Sequence, residues 1–271
     1  MRNLLLIAGL MVSSITAVAS EPTTEPTLGQ QLQTVAVTIR AGGAHGSGVV
    51  FLKQDAGGNT HTFILTAAHV VDGLRKQGPV LAPDGTTRQG VTFKDASIIR
   101  ILVENGRKVG QIEIYAKIIR YSPIKGGEDL ALLWVRSPNV FNVSAKLYDG
   151  IPALGSELYH VGSMRGMIGA NSLTDGILSQ QGRLLDGEIF DQTTVTAEPG
   201  SSGGLVACKE TGEVVGLLTQ GIGQTFNFIV PARRIREWAG RVHVAWLFTD
   251  DPMPSIFEVF SHQVDDNRLK K

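Results

Sequence analysis

Short runs of β-branched and aromatic residues, separated by turn-forming residues, limit the fold of this sequence more than any other feature. Residues 33–40 alternate in polarity and place Val35, Val37 and Ile39 on one side, as in a strand with one buried face. Similar runs recur along the chain at 48–52, 61–67, 98–103, 111–119, 130–135, 157–161, 176–180, 193–196, 204–208, 213–219 and 225–230. This spacing favours an all-β sandwich or pair of barrels over alternating β and α units.

Helical patterns occur only late in the chain. Residues 231–238 begin with a proline, which suits the first turn of a helix, and the pattern ends at Gly240. Ser255 and Glu258 have the spacing of a capping box and predict a second helix near the C-terminus. This second helix could pack on its own domain or on a partner protein.

The N-terminus has the pattern of a targeting segment. Arg2 precedes an apolar run at 4–12, and small residues follow at 17–20, so residues 1–20 are predicted to be a cleaved export signal. An uncleaved membrane anchor would need about 20 apolar residues, and Ser13 and Ser14 interrupt this run. Residues 21–32 are predicted to be a flexible segment, because 21–27 contain Pro, Thr and Glu and little to bury.

Composition excludes several classes of function. The chain has 25 basic and 25 acidic residues, and zero net charge argues against nucleic acid or an anionic membrane surface as the partner. Cys208 is the single cysteine, which excludes an internal disulfide and zinc sites with several cysteine ligands. The six histidines form no His-Glu-x-x-His motif, and no phosphate-binding loop is present. We therefore predict a protein without a metal or organic cofactor.

Three motifs contain the residue types that acyl transfer needs. His69 ends an apolar run, Asp129 begins another, and Ser202 lies in a Gly/Ser turn that leads into a third. A hydroxyl becomes a good nucleophile when an imidazole takes its proton, and a carboxylate orients that imidazole and stabilises its cation. Each motif alone is weak evidence, but their combination on a β-rich pattern indicates a serine hydrolase.

The three motifs resemble the signatures of chymotrypsin-fold serine proteases, and most closely those of the bacterial HtrA/Deg branch. They are 66–69 (TAAH), 129–132 (DLAL) and 200–204 (GSSGG), with further similarity at 46–51, 161–169, 176–179 and 226–231. The resemblance implies two six-stranded β-barrels with the site between them. On that basis we expect a first barrel over 33–140, a second over 141–240, and a C-terminal extension with a helix over 241–271.

The resemblance also implies roles for single residues. His69 would be the general base, Asp129 would orient it, and Ser202 would be the nucleophile. The oxyanion hole would consist of the backbone N–H groups of Gly200 and Ser202. The strand formed by Thr219, Gln220 and Gly221 would pair with an extended substrate. Thr196, six residues before the nucleophile, would lie at the base of the specificity pocket, and its lack of charge favours small or medium aliphatic side chains there.

Three features depart from the family pattern. Ser201 replaces the usual Asn or Asp before the nucleophile, which puts the stability of the oxyanion loop in question. The interval 72–110 is long and predicts a long loop or an extra hairpin. The roughly 30 residues after Gly240 are too few for a PDZ domain, which takes about 80–100 residues.

The resulting expectation is an exported serine endopeptidase, periplasmic or secreted by a bacterium, that cleaves extended or unfolded polypeptides. Stable membrane insertion is not expected once the signal is removed, and homo-oligomerisation is left open. Two alternatives remain. The chain could be a catalytically silent binding module on a protease fold, or a narrow processing enzyme with one protein partner.

Overall fold

The computed structural model describes residues 25–81, 85–104 and 107–265. The predicted export signal, residues 1–20, and the first four residues of the predicted flexible segment lie outside this part of the chain. Among the described residues, no helix combines the length and apolar character needed to cross a membrane.

Twelve strands form two closed antiparallel barrels, and a two-stranded hairpin lies outside them. The first barrel has the order β1-β2-β3-β8-β7-β6. Its strands are β1 (Ala36–Ala41), β2 (Ala44–Gln54), β3 (Thr60–Thr66), β6 (Ala96–Glu104), β7 (Arg107–Ser122) and β8 (Leu130–Val135). The hairpin consists of β4 (Arg75–Leu81) and β5 (Thr87–Phe93), as predicted for the long interval 72–110.

The second barrel has the order β10-β11-β14-β13-β12-β9. Its strands are β9 (Glu157–Met164), β10 (Gly169–Leu185), β11 (Glu188–Thr193), β12 (Leu205–Cys208), β13 (Val214–Gly221) and β14 (Asn227–Pro231). The four helices are α1 (Leu28–Thr34), α2 (Ala68–Val71), α3 (Ala232–Arg241) and α4 (Ile256–Ser261). The predicted all-β fold with two six-stranded barrels and a C-terminal helix is confirmed.

The two barrels pack together through β1, β2 and β9. The polarity of β1 alternates in sequence, yet Thr38, between Val37 and Ile39, is only 1% exposed. Its hydroxyl lies 2.6 Å from that of Ser163 on β9, so the polar face of β1 is buried against the second barrel. Burial at this interface therefore covers a face that the alternating pattern assigns to solvent.

Two predictions about local structure are wrong. The predicted strand 193–196 is largely outside a strand, because β11 ends at Thr193. Asp186 and Gly187, both with positive φ, form a tight turn that starts β11 earlier. The predicted flexible segment 21–32 contains the beginning of α1, which Thr27 and Gln30 cap in a capping box and which buries Leu32. Ordered structure thus begins before residue 33.

The C-terminal extension returns from the second barrel to the first. After α3, a short 3₁₀ helix (Ala245–Phe248) places Trp246 edge-on against Phe63, with ring centroids 5.3 Å apart. The Ser255 side chain accepts a hydrogen bond from Glu258 N at 3.2 Å, so Ser255 caps α4, but among the described residues the reciprocal bond of the predicted capping box is absent. Phe260 of α4 packs on Trp134 of β8. The second predicted helix therefore packs on its own chain.

Candidate active site

His69 and Asp129 form a close pair at one end of the first barrel. His69 lies on α2, directly after β3, and Asp129 directly precedes β8, which pairs with β3. The His69 Nδ1 atom is 2.9 Å from Oδ2 and 3.1 Å from Oδ1 of Asp129, and His69 N donates to Oδ1 at 3.0 Å. Because the carboxylate only accepts, Nδ1 is assigned the proton, which leaves the Nε2 lone pair free to take one.

The carboxylate of Asp129 is buried, being 1% exposed, and its backbone has a φ of 56°. Such left-handed geometry is uncommon for residues other than glycine, although Asp and Asn adopt it more readily than the rest. The Thr219 hydroxyl donates to Oδ2 of Asp129. The side chain of Thr219, predicted to belong to a substrate-binding strand, thus contacts the carboxylate.

The pKa of His69 results from two opposing effects. Burial lowers it, but the hydrogen bond and the Coulombic attraction from Asp129 raise it, and the nearby Asp72 raises it further. The net result is a pKa above the ordinary value of 6.5. The imidazole therefore holds a proton more readily than a free histidine does, as suits a group that must accept one.

Ser202 lies at the turn that leads into β12, and Thr219 connects it to the other two residues. The Ser202 hydroxyl donates to the Thr219 carbonyl at 3.1 Å, and within the described part of the chain it makes no hydrogen bond to His69. The adjacent Gly203 packs on the end of β3, where an added Cβ would lie 2.2 Å from Oγ1 of Thr66. The turn that contains Ser202 therefore lies against the segment that carries His69.

The turn around Gly200 leaves two backbone donors unoccupied. Gly200 has a φ of 98°, and an added Cβ would lie 2.3 Å from the Ser163 carbonyl, so glycine is required there. The Pro199 carbonyl accepts from Arg165 N at 2.7 Å, which turns the N–H of Gly200 to the opposite side. In the described residues, neither this N–H nor that of Ser202 has an acceptor.

Ser201 holds this turn without a charge. It is fully buried, and its Oγ accepts from Glu198 N at 3.2 Å. Its own N donates to Glu198 O, and its carbonyl accepts from Gly204 N, both at 2.9 Å. A neutral residue therefore closes the turn through local hydrogen bonds, and a charged residue at this position would need a buried counter-ion.

A pocket of about 350 Å³ opens beside Ser202. Its walls include Gln220 and Gly221, and the remaining lining residues are Ala197, Glu198, Pro199, Leu218, Thr219, Gly223, Gln224 and Asn227. Thr196, predicted at its base, does not line it, and its carbonyl accepts a hydrogen bond from the Thr174 hydroxyl at 2.8 Å. The next residue, Ala197, does line the pocket.

Asn227 is a pocket residue that the sequence analysis missed. It is 2% exposed, and its Nδ2 donates to the carbonyls of Val195 and Gln224, both at 2.8 Å. An added Cβ at Gly221 would lie 1.9 Å from its Oδ1, so the amide lies directly over that glycine. The signal available in the sequence was an asparagine within the apolar run 226–231.

Glu198 at the pocket is not a free carboxylate. It pairs with Arg165 at 3.2 Å, and the Gln224 amide donates to it at 3.1 Å. Its negative charge is therefore compensated from outside the pocket. No cluster of metal-ligating side chains occurs among the residues that the structure describes.

Comparison with known proteins identifies the family. The model of the trypsin-like peptidase domain matches residues 46–217, more than half of the chain. The chain belongs to the trypsin-like peptidase family. No curated protein sequence matches it.

Solved structures of proteases share the fold of this trypsin-like peptidase. An HtrA-type protease, AlgW with a tripeptide, has a TM-score of 0.57 at 19% identity, over 80% of this chain and 62% of that one. The inactive form of Rv3671c from M. tuberculosis gives 0.56 at 16% identity, over 80% and 90%. The serine endoprotease from Yersinia pestis gives 0.53 at 20% identity, over 82% and 67%. The predicted family and fold are thus confirmed.

Proposed function

We propose that this trypsin-like peptidase is a serine endopeptidase in which Ser202, His69 and Asp129 form the catalytic triad. The observation that carries the proposal is the Asp129 carboxylate, which accepts both N–H groups of His69 and the hydroxyl of Thr219, the residue whose carbonyl holds Ser202. This connection lies beside two unoccupied backbone N–H groups.

Acylation begins when the Ser202 hydroxyl leaves the Thr219 carbonyl and turns toward His69. Nε2 takes the hydroxyl proton as Oγ attacks the carbonyl carbon of the scissile peptide, and Asp129 stabilises the imidazolium. The N–H groups of Gly200 and Ser202 donate to the oxyanion of the tetrahedral intermediate; loss of one such donor typically costs about 10²–10³-fold in rate. His69 then gives the proton to the leaving amine, and the acyl-enzyme remains.

Deacylation repeats these steps with water. Nε2 takes a proton from the water as its oxygen attacks the ester carbonyl, and the same two N–H groups bind the second oxyanion. Collapse of this intermediate returns the proton from His69 to Ser202 Oγ and releases a carboxylic acid. Every proton moves between groups of the chain, substrate and water, so the proposal needs no metal or organic cofactor.

The proposed substrate is extended or unfolded polypeptide. Gln220 and Gly221 end β13 at the pocket, where an extended chain could add as a further strand. The proposed preference before the scissile bond is a small or medium aliphatic side chain, since Glu198 is already paired with Arg165. We also propose that residues 1–20 direct export to the bacterial periplasm or the exterior.

Labelling with a fluorophosphonate tests the triad. We expect intact mass to show a single adduct on the purified protein and none on Ser202→Ala or His69→Ala. Ser261→Ala is the control, because it removes the hydroxyl of an exposed serine on α4, outside the candidate site, and it should still gain the adduct. A folded, unmutated protein that gains no adduct would contradict the proposal and favour the silent binding module. Digestion of casein beside a panel of folded proteins then separates a broad protease from a narrow processing enzyme.

A further inference from the structure

A buried ion pair connects the residue before Asp129 to the second barrel. Glu128 is 2% exposed and Arg234, on α3, is 5% exposed. Arg234 Nε donates to Oε2 of Glu128 at 2.7 Å, and Nη2 lies 2.5 Å from the same oxygen. Arg234 is buried, whereas its neighbours Arg233 and Arg236 on α3 are partly exposed.

Further contacts hold the two side chains in one geometry. Arg241, one heptad after Arg234 and so on the same face of α3, donates to Oε1 of Glu128. Arg234 Nη1 donates to the Ile189 carbonyl at 2.6 Å, and its guanidinium lies 4.7 Å from the centroid of the Phe190 ring. The pair is therefore anchored on both sides, in α3 and at the start of β11.

Glu128 ends a compact loop that leads directly to Asp129. Glu128 N donates to the Ser122 hydroxyl at 2.9 Å, and Asp129 N donates to the Pro123 carbonyl at 3.3 Å. At Gly127 an added Cβ would lie 2.4 Å from that carbonyl, so the loop has no room to shift inward. A displacement of Glu128 would therefore move the backbone of Asp129.

We infer that Glu128 and Arg234 are positioning residues that fix Asp129 and His69 of the first barrel relative to Ser202 of the second. The inference rests on the proposed function. Asp129 and His69 belong to one barrel and Ser202 to the other, so their geometry depends on how the barrels sit together. Arg234 binds Glu128 of the first barrel, the residue directly before Asp129, and Arg234 lies on α3, which directly follows β14 of the second barrel.

Two physical arguments support this role over simple stabilisation. A buried ion pair contributes little net stability, because desolvation of both charges offsets their attraction. Its geometry specifies orientation, because two nitrogens of the planar Arg234 guanidinium converge on Oε2 of Glu128 while Arg241 contacts Oε1. The ion pair is also adjacent in sequence to Asp129, so it restrains the chain directly before the carboxylate that contacts His69. Misplacement of a reacting group by about 1 Å can cost on the order of 10²-fold in rate.

The test compares the double variant Glu128→Gln/Arg234→Met with the matched double variant Asp191→Asn/Arg233→Met, which also neutralises both partners of an ion pair whose carboxylate is buried. Each double variant removes its pair without changing the net charge. Arg233, next to Arg234 on α3, pairs bidentately with Asp191 of β11 at 2.7 and 2.6 Å, wholly within the second barrel. Both changes remove an ion pair of α3, but only the first crosses the barrel interface.

For Glu128→Gln/Arg234→Met we expect kcat on a peptide substrate and the rate of fluorophosphonate labelling to fall at least about tenfold, with KM within about twofold. In this variant the midpoint of the acid limb of kcat/KM should shift down toward pH 6.5, because a displaced Asp129 would raise the pKa of His69 by less. Asp72 is the other charged group that raises this pKa. Asp191→Asn/Arg233→Met should keep the unmutated values.

The outcomes separate the inference from the proposed function. An unmutated protein without labelling refutes the proposed function. Labelling of all variants at the unmutated rate, with unchanged acid limbs, overturns only the inference. An equal loss of rate in Asp191→Asn/Arg233→Met would also overturn it. If Glu128→Gln/Arg234→Met does not fold, the variant Arg234→Lys is used, because it keeps the positive charge but lacks the planar guanidinium. Labelling about tenfold slower than that of the unmutated protein supports the inference, and labelling at the unmutated rate overturns it.

Discussion

Protonation of His160 should destabilise the folded protein as the pH falls. His160 lies on β9, is 0% exposed, and has Nδ1 2.9 Å from the Leu205 carbonyl, to which it donates. Its Nε2 has no partner among the described residues. The ring is confined by two glycines, since an added Cβ at Gly162 or Gly204 would lie 2.8 or 2.6 Å from it. A second ring proton would thus have no acceptor.

Burial lowers the pKa of His160 from 6.5 to about 4. The unfolded chain therefore binds a proton near pH 6.5, while the folded chain binds it only near pH 4. Stability from the neutral ring is complete above pH 6.5 and is lost as the pH falls through this interval. Linkage gives a loss of about 2.5 kcal/mol in the free energy of unfolding at pH 4.5, relative to pH 7.5.

Urea unfolding at pH 7.5 and 4.5 measures this loss, with every protein in the Ser202→Ala background to prevent digestion. His160→Asn keeps a donor for the Leu205 carbonyl and removes the titration, so it should lose about 2.5 kcal/mol less between the two pH values than its parent. His45→Asn, at an exposed histidine, should behave like the parent. Equal losses for His160→Asn and its parent would refute the reasoning.

Two further predictions concern the proposed peptidase activity. The acid limb of kcat/KM should have its midpoint above pH 6.5, because catalysis needs neutral His69 and Asp129 raises its pKa; a midpoint below 6.5 would contradict the assigned pair. The same raised pKa stabilises the folded state below pH 6.5, a contribution lost as the pH rises through the folded-state pKa. Mass spectrometry of casein digests should find small or medium aliphatic residues before the cleaved bond, because Glu198, the acidic residue of the pocket lining, is paired with Arg165. A profile dominated by Arg or Lys would contradict this prediction.

Local patterns predicted most of the strands, because β-branched runs and the turn residues between them are local features of the sequence. The predicted strand 130–135 coincides with β8. The prediction of a strand at 193–196 is wrong because the turn at Asp186 and Gly187 starts β11 earlier in the chain. The sequence analysis did not predict helix α1, because its N-cap Thr27 belongs to the polar stretch 21–27, whose composition is typical of a flexible segment.

Some residues of the candidate site could also be predicted from the sequence, and others could not. Sequence motifs predicted His69, Asp129 and Ser202 because each acyl-transfer role requires a particular side chain. They did not predict Asn227 or the buried Arg234, since both owe their burial to segments distant in the chain. Arg234 contacts Glu128 across 106 residues, and no local pattern reports such a contact.

By itself, the sequence determined the strand pattern, the residue types available for acyl transfer and the zero net charge, because these follow from local composition and spacing. The tertiary structure alone decided which polar groups are buried and what they contact. It linked Ser202 to Asp129, the partner of His69, through hydrogen bonds with Thr219. It also left Thr196 outside the pocket lining and buried Arg234 against Glu128. Burial and pairing depend on how two barrels meet, and that geometry arises only when distant segments pack together.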